Sequence, residues 1–313
     1  MKRYIINSLL ENKFVSGEAI AEKFGVSRNA VWKEITQLRN DGFEIEASTR
    51  KGYILKSAPE KLNGYVIAYY TRGSMWKNIE FKHTINSTNT FLKQKEDLQS
   101  GDVAIAERQT EGRGRRGRTW YSPEGNIYMS VCIIPEGELE KAPLTGLAAA
   151  VAVAEAVSAL GVECKIKWPN DIVIDGKKVC GILSEIIGEA EGGFFCIVGI
   201  GINTGVSSFN ESVINPAVSI CDMYKKKLDV NRFTADTLLA LEKQLKNKNM
   251  LEEYKKYCVN IGRTVKIIGA DGECTAEAVG INENGNLLIK NENGITAVKS
   301  GEVSVRGIYG YCD

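Results

Sequence analysis

A short arginine- and glycine-rich stretch is the segment most able to do chemistry. Four arginines and three glycines fill Gly112-Arg-Gly-Arg-Arg-Gly-Arg118. A folding core has no use for this composition, because like charges repel and glycine weakens regular elements. Glycines let a backbone approach a ligand, and guanidinium groups present planar forks to carboxylate or phosphate. The stretch therefore predicts a mobile loop that closes over an anion. A solvated basic loop is the alternative, which glycines between the arginines disfavour.

The same stretch formally matches the glycine pattern of dinucleotide-binding folds, but its context does not fit. That pattern must follow a strand and open a helix. Residues 102–107 do read as a strand, whereas Pro123 and Gly125 prevent a helix over 119–125. The Rossmann interpretation therefore fails. The phosphate-binding pattern G-x-x-x-x-G-K-[ST] is also missing from the sequence, which disfavours γ-phosphoryl transfer of the P-loop kind.

A second candidate cluster lies further along the chain. Lys167-Trp-Pro-Asn-Asp171 places a cation, an aromatic ring, an amide and a carboxylate around a rigid turn, and Lys178 follows across a predicted hairpin. Lysines on strands beside an arginine loop can hold an anion from its other side. The alternative for Lys178 is a solvated strand lysine, which is the commoner case for that residue type.

The chain contains one histidine, His83, in a strand-like run. This excludes chemistry built on a histidine pair and leaves charge stabilisation as the basis of any catalysis. A carboxylic acid is already ionised at pH 7 and needs no base to attack the α-phosphorus of ATP. Two unit charges about 4 Å apart repel by ~4 kcal/mol at a dielectric of about 20. Clustered arginines offset that repulsion, so the residues favour adenylation of a carboxylate.

The overall composition is that of an ordinary globular protein. The 313 residues are 43% hydrophobic and 25% charged with a formal net charge of +1, so any nucleic-acid site must be local. Eight cysteines occur singly, which favours buried reduced thiols over disulfides or zinc. The apolar run 147–154 is too short to span a bilayer and no secretory apolar region is visible, so we expect a cytoplasmic protein with no membrane partner.

The first unit, residues 1–60, has the pattern of a winged helix-turn-helix. Helices are predicted over 2–10, 17–24 and 28–38, followed by two short strands. Ser27 is placed to cap the third helix, the recognition helix of such a domain. The residues predicted to face DNA are Ser27, Arg28, Asn29, Lys33, Arg50 and Lys51. A helical interaction module that never touches DNA is the alternative.

Two further units follow. Residues 63–262 mix strands and helices, with helices predicted over 88–98, 144–160 and 234–257 and a hairpin turn at Asp175-Gly176. Residues 263–313 carry short alternating strands joined by Asn-Gly pairs at 284–285 and 293–294, which suggest a small barrel. The expected fold class is α+β multidomain: a winged helix-turn-helix, a central mixed α/β domain and a small SH3-like β-barrel.

Several of these segments, taken together, resemble the biotin–protein ligase family. The first unit adds a likeness to those bacterial ligases that also repress the biotin operon. The arginine loop combined with the Lys-Trp-Pro-Asn-Asp turn is specific, whereas the helix-turn-helix alone is not. The segments that carry the resemblance are Ser87-Thr-Asn89, Gln109, 112–118, 167–171, Lys178 within 178–183, Gly199-Ile-Gly-Ile-Asn203 and Ser300-Gly-Glu-Val-Ser304.

The resemblance implies a role for each matching residue. Arg113, Arg115 and Lys178 would be the catalytic residues, and Asp171 would help to hold Mg²⁺. The residues implied for biotin are Ser87, Thr88, Asn89, Gln109, Arg113, Gly114, Arg115 and Lys178. Those implied for the nucleotide are Arg116, Arg118, Trp120, Asn170 and Asn203.

The resemblance also implies substrates and partners. Such an enzyme would form biotinyl-5′-adenylate from biotin and ATP with Mg²⁺, then pass biotin to a lysine of a biotin carboxyl carrier domain. The adenylate-bound chain would form a homodimer that binds operator DNA and represses biotin genes. Two alternatives stay open on the residues alone: a ligand-sensing repressor without ligase activity, and a lipoate-type acyl ligase.

Overall fold

The structure is a computed structural model that describes most of the chain. The residues described are 1–11, 13–48, 50–135, 139–189, 193–205, 216–269, 272–292, 294–301, 303–307 and 311–312. Three positions of predicted features lie outside them: Thr49 between the wing strands, Asn293 of an Asn-Gly turn and Glu302 of the Ser300–Ser304 motif.

The first unit is a winged helix-turn-helix, as predicted. Its elements are α1 (Lys2–Leu10), α2 (Gly17–Phe24), α3 (Arg28–Asn40), β1 (Glu44–Ser48) and β2 (Gly52–Ser57). Ser16 and Ser27 cap α2 and α3 by accepting hydrogen bonds from backbone N–H groups in the first turns. A backbone bridge between Val15 and Tyr53 fastens the wing to the segment before α2. The buried faces of the three helices form one apolar core with the wing.

The central unit is built on a seven-stranded mixed sheet. Its elements are α4 (Gly64–Tyr70), β3 (Asn78–Ile85), α5 (Thr88–Lys93), β4 (Asp102–Gln109), β5 (Ile127–Ile133), α6 (Pro143–Ala159), β6 (Lys165–Lys167), β7 (Asp171–Ile174), β8 (Lys177–Glu189), β9 (Gly193–Ile202), α7 (Ile220–Met223), α8 (Val230–Leu245) and α9 (Met250–Tyr257). The strand order is β3-β4-β5-β9-β8-β7-β6. Only the β3–β4 pair is parallel among these described strands.

Helices cover the two faces of this sheet differently. On one face lies α6, almost wholly buried, with α8 and α9 packed over it. On the other face the short α5 packs beside Ala104, Cys132 and Ile197, and leaves the rest of that face open. The helical segment 139–159 is long and apolar enough to cross a membrane, but 72% of its most apolar 18-residue stretch is buried inside the protein. The long apolar helix therefore forms the core of the domain.

The third unit is a five-stranded antiparallel sheet. Its strands are β10 (Arg263–Gly269), β11 (Gly272–Ile281), β12 (Leu287–Asn291), β13 (Gly294–Val298) and β14 (Ser304–Gly307), in the order β13-β12-β11-β10-β14. It contacts the central domain through buried hydrogen bonds. Nε1 of Trp168 donates to the carbonyl of Gly285 at 3.1 Å, and Nζ of Lys167 donates to the carbonyl of Val305 at 2.6 Å.

Two predicted helices have different bounds in the structure. The single helix predicted over 234–257 is wrong, because α8 ends at Leu245 and α9 begins at Met250. Between them Asn247 accepts a hydrogen bond from the backbone N–H of Asn249, a local bond that competes with helix. The helix predicted over 88–98 stops at Lys93, since Asp102 accepts hydrogen bonds from Nζ of Lys95 and the backbone of Gln99. Six of the eight cysteines are buried, as expected, whereas Cys221 and Cys274 are exposed.

The segment between the first two units is fixed by one buried asparagine. The side chain of Asn231 donates to the carbonyls of Pro59 and Lys61 and accepts from the backbone N–H of Asn63. Helix α4 then packs against both α1 and α8. The winged domain is therefore held against the central domain by the Asn231 side chain, which binds the main chain of the linking segment, and by the packing of α4.

Gly52 at the start of the wing offers a test of this packing. Its φ is +91°, and a Cβ there would lie 2.3 Å from the carbonyl oxygen of Val15. We expect Gly52→Ala to cost about 3 kcal/mol in the winged domain, because strain and a backbone clash add. Hydrogen exchange of α1–α3 measures the loss. Gly25→Ala, at φ +63° with open space around it, should cost only about 1 kcal/mol. Equal costs would show that the clash at Val15 is unimportant.

Candidate active site and DNA-binding surface

A cavity of about 500 Å³ opens on the face of the sheet that α5 leaves uncovered. Its volume suits a small-molecule ligand. The cavity brings together thirteen of the residues predicted from the sequence: Ser87, Thr88, Asn89, Gln109, Arg113, Gly114, Arg115, Arg118, Trp120, Asn170, Asp171, Lys178 and Asn203. Arg116 is not among its lining residues. Its guanidinium instead lies 3.4 Å from the carbonyl oxygen of Ile268, so its predicted nucleotide role has no geometric support here.

One end of the cavity is a polar network around the first turn of α5. The backbone N–H and the hydroxyl of Thr88 both donate to Oε1 of Gln109, at 2.9 and 3.1 Å. Nε2 of Gln109 donates to the hydroxyl of Ser122 at 3.0 Å. The buried hydroxyl of Ser130 contacts both Thr88 and Asn89. These groups can donate to and accept from a neutral polar ligand, because hydroxyls and amides do both.

Asn89 is held in place from two sides. Its Nδ2 donates to Oε2 of Glu185 at 2.7 Å, and Nζ of Lys93 neutralises that carboxylate at 2.7 Å from Oε1. On the other side Gly199 lies so close that a Cβ there would sit 2.2 Å from Oδ1 of Asn89. The amide orientation is therefore set by the sheet and by a partly buried ion pair.

The arginine loop forms a small hairpin over the cavity. Arg113 and Thr119 pair as an isolated bridge, and residues 115–117 make one 3₁₀ turn. Nη1 of Arg115 donates to Oδ1 of Asn170 at 2.9 Å, and its Nη2 lies 3.3 Å from the carbonyl of Val303. Burial lowers the pKa of Arg115, and the charge of Asp171 opposes that shift. Arg113 and Arg118 are exposed at the rim.

A carboxylate and two lysines lie at the other end of the cavity. Oδ1 of Asp171 lies 2.6 Å from Nζ of Lys178, and its Oδ2 accepts a hydrogen bond from the hydroxyl of Tyr311. Burial on its own raises the pKa of Asp171, but the charges of Lys178 and Lys167 outweigh it and lower the pKa overall. Burial lowers the pKa of Lys167, which is 5% exposed. Asp171 therefore stays ionised between the buried Lys167 and the partly buried Lys178.

The predicted Mg²⁺ ligand has little room for a metal. Oδ2 of Asp171 accepts a hydrogen bond from Tyr311, and the buried Oδ1 has an ion-pair contact with Lys178 but no hydrogen bond. The described part of the chain holds no group of three His, Cys, Asp or Glu residues able to bind an ion. Magnesium sites in nucleotide enzymes use one or two carboxylates together with substrate phosphates. The residues present do not form a metal site of their own, and the role of Asp171 in binding Mg²⁺ stays a prediction.

Trp120 lies flat on a bed made by two glycines. Gly181 of β8 and Gly201 of β9 are directly paired, and a Cβ on either would come within 2.8 Å of the indole. Nζ of Lys178 lies 5.0 Å from the ring centroid, within reach of a cation–π interaction. Nε1 of Trp120 is buried without a hydrogen-bond partner among the described residues. An aromatic face and an unused donor are thus available to a ligand that stacks there.

The predicted DNA-facing residues are all exposed in the winged domain. Ser27, Arg28, Asn29 and Lys33 are exposed at the start of α3, and Arg50 and Lys51 are exposed at the tip of the wing. The hydroxyl of Ser27 is used as the helix cap. Arg28 forms an ion pair with Glu18, and both side chains are largely exposed. This pair can open to contact a phosphate, because exposed ion pairs contribute little stability.

Sequence reasoning missed several residues that the structure places in the cavity or exposes near the predicted DNA-facing residues. Trp32 of α3 is 51% exposed next to Lys33, and its place outside the apolar stripe is the signal that could have indicated it. Tyr311 and Arg306 of the third unit line the cavity, and no local pattern in their segment indicates this. The glycine bed under Trp120 depends on strand register, which the sequence does not state.

Comparison with known protein families agrees with all three units. Residues 81–203 match the Biotin/lipoate A/B protein ligase family, residues 2–54 match an HTH domain, and residues 261–306 match the Biotin protein ligase C terminal domain. The fold and the site thus define a protein ligase of the biotin/lipoate class joined to a helix-turn-helix domain.

Relatives that match nearly the whole chain identify the family within this class. The bifunctional ligase/repressor BirA of Bacillus subtilis is 34% identical over 94% of both chains, and that of Escherichia coli is 33% identical over 96% of both. The structure of biotin protein ligase from Aquifex aeolicus in complex with biotin and ATP superposes with a TM-score of 0.64, 32% identity, and coverage of 74% of this chain and 99% of that one. The chain belongs to the bifunctional biotin–protein ligase/repressor family.

The glycine bed can be tested without substrates. Gly201→Ala should lift the indole of Trp120, because a Cβ would lie 2.5 Å from Nε1. We expect acrylamide quenching of the Trp120 signal, taken as the difference from Trp120→Phe, to rise severalfold. Gly280→Ala is the control, since its Cβ would only reach an ordinary 3.8 Å contact with Leu288. Unchanged quenching in Gly201→Ala would mean that the indole does not rest on this strand pair.

Proposed function

We propose that the chain activates biotin with ATP to biotinyl-5′-AMP, transfers biotin to a lysine of a biotin carboxyl carrier protein, and represses biotin genes with the adenylate as corepressor. The observation that carries the enzymatic part is the charge of the cavity. Six basic side chains and one carboxylate are the charged residues that line it: Arg113, Arg115, Arg118, Lys167, Lys178 and Arg306 against Asp171. Two anionic substrates need such an excess of positive charge in order to meet.

The proposed chemistry proceeds in two steps. A carboxylate oxygen of biotin attacks the α-phosphorus of ATP, an O–P bond forms, and the bond to pyrophosphate breaks. Lys178 and Arg113 stabilise the negative charge on the transferring group, and no proton needs to be removed from the nucleophile. A carrier lysine, as the free amine, then attacks the acyl carbon of the mixed anhydride. A C–N bond forms, the C–O bond to AMP breaks, AMP leaves with the bonding electron pair, and the amine proton passes to solvent. Mg²⁺ would reach the site with the phosphates of ATP.

The polar end of the cavity favours a ligand with a urea-like head. Gln109, Thr88 and Ser130 offer donors and acceptors in a small space, which suits the ureido ring of biotin. A lipoate-type ligase would instead place an apolar dithiolane ring, which is a poor partner for these donors and acceptors, against the same groups. The similarity to a biotin protein ligase in complex with biotin and ATP also favours biotin. We therefore infer biotin as the acid.

Repression is proposed to use a homodimer that forms when the adenylate is bound. The exposed polar side chains on α3 and at the wing tip support groove and phosphate contacts by one winged domain. Two such domains would read two half-sites of an operator. We infer a cytoplasmic location, where both carrier protein and DNA are found.

Incubation with biotin, ATP, Mg²⁺ and a carrier domain tests the enzymatic part. We expect one biotin adduct per carrier by mass spectrometry and none with lipoate. Lys178→Ala should slow adenylate formation by about 100-fold or more, because it removes a cation from the reacting centre. Lys177→Ala, at the exposed neighbouring position, should leave the rate unchanged. A carrier that stays unmodified by the wild-type protein would contradict ligase activity and favour a sensing repressor.

Gel shifts with DNA from upstream of the biotin genes of the source organism test repression. We expect specific binding that tightens when biotin and ATP are both present. Arg28→Ala should reduce the slope of log affinity against log salt by about 1, because one phosphate contact is lost. Lys248→Ala, exposed and outside the winged domain, should leave the slope unchanged. Absence of a specific complex under either condition would exclude this DNA as the operator.

A further inference from the structure

A tyrosine of the third unit reaches into the cavity of the central domain. The hydroxyl of Tyr311 donates a hydrogen bond to Oδ2 of Asp171, while Oδ1 of the same carboxylate lies 2.6 Å from Nζ of Lys178. Each carboxylate oxygen therefore has its own partner. Rotation of the carboxylate would break at least one of the two contacts, so the tyrosine restricts where the lysine ammonium can lie.

Tyr311 is itself fixed by neighbours on both sides of the domain boundary. Nζ of Lys167 lies 4.4 Å from the centroid of its ring, and the same ammonium donates to the carbonyl of Val305 at 2.6 Å. In the next residue, the carbonyl of Cys312 accepts a hydrogen bond from Arg263 at 3.1 Å. The phenol is thus held by its ring and by its backbone, and its hydroxyl has a defined direction.

We propose that Tyr311 is a positioning residue for adenylate formation: it orients Asp171, and through Asp171 it holds the ammonium of Lys178 toward the reacting groups. This inference rests on the proposed function, since it assigns a residue of the third unit to the same reaction. Tyr311 acts through another side chain and takes no part in bond making.

The charges around the pair agree with this role. Burial and the neighbouring Asp171 raise the pKa of Tyr311 well above its usual value, so the phenol keeps its proton and remains a donor near neutral pH. Asp171 faces Lys178 and Lys167 as well as this hydroxyl, and the hydrogen bond from Tyr311 is one of the influences that lower the pKa of Asp171.

Tyr311→Phe is the test, because it keeps the ring under Lys167 and removes only the hydroxyl. For pyrophosphate release from biotin and ATP, we expect kcat to fall about tenfold, the loss typical of a hydrogen bond to a charged group, with KM of both substrates within about twofold. Tyr257→Phe is the control, since Tyr257 lies on α9 and does not line the cavity.

A double variant separates positioning from a general effect on the fold. If Tyr311 acts through Asp171, adding Tyr311→Phe to Asp171→Asn should cost less than a further twofold in kcat. Amine labelling of Lys178 in the substrate-free protein, followed by mass spectrometry, gives a readout without turnover. We expect Tyr311→Phe to raise the labelling rate severalfold and Tyr257→Phe to leave it unchanged.

The outcomes distinguish this inference from the proposed function. If wild-type protein releases no pyrophosphate with biotin and ATP, the proposed function fails and the labelling result alone decides whether Tyr311 orients Lys178. If the wild type is active, unchanged kcat in Tyr311→Phe overturns the inference. Losses that multiply in the double variant, or a change confined to KM, overturn it as well.

Discussion

The charge balance of the cavity depends on one largely buried carboxylate, Asp171, among six basic side chains. Asp171 lies beside Lys178 and Lys167, and its charge also opposes the lowering of the pKa of Arg115. Removing one partner of a buried ion pair typically costs about 3–5 kcal/mol, because the charge left behind has lost its compensation. One acidic residue thus lets the protein keep several basic groups ready for anionic ligands. It does so without cancelling the excess positive charge that those ligands require.

The surrounding fold places the carboxylate of Asp171 beside the lysines whose charge it offsets. Asp171 begins β7 directly after the turn at Pro169, and β8 brings Lys178 back beside it through the Asp175-Gly176 hairpin. Trp168 anchors this turn by hydrogen bonds to Asn260 and Gly285. The third unit adds the carbonyl of Val305 and the hydroxyl of Tyr311. The electrostatic centre is therefore assembled across a domain boundary, and neither domain holds all of its parts.

Much of this arrangement was predictable because the chemistry lies in local patterns. Arginines spaced by glycines, the Lys-Trp-Pro-Asn-Asp turn and the serine-capped α5 each occupy a few consecutive residues, and the cavity contains all three. The winged helix was equally clear from its caps and apolar periodicity. Long-range features were not predictable. The register that pairs Gly181 with Gly201 under Trp120, and the path that brings Tyr311 to Asp171, depend on tertiary structure. The break between α8 and α9 was missed because an Asn-rich turn can sit inside an amphipathic pattern.

The arginine loop shows why similar residues in one motif need not do the same work. Arg115 is partly buried and bound to Asn170 and to the third unit, so its contacts hold the loop against both domains. Arg116 has a φ of +57° and turns outward toward β10. Arg113 and Arg118 remain exposed at the cavity rim. A guanidinium that donates to neutral protein acceptors has fewer donors left for a ligand. A loop that must be anchored to the protein and also contact an anion therefore needs some arginines for anchoring and others for the ligand. The glycines between the arginines permit it, since they let neighbouring side chains leave the backbone in different directions.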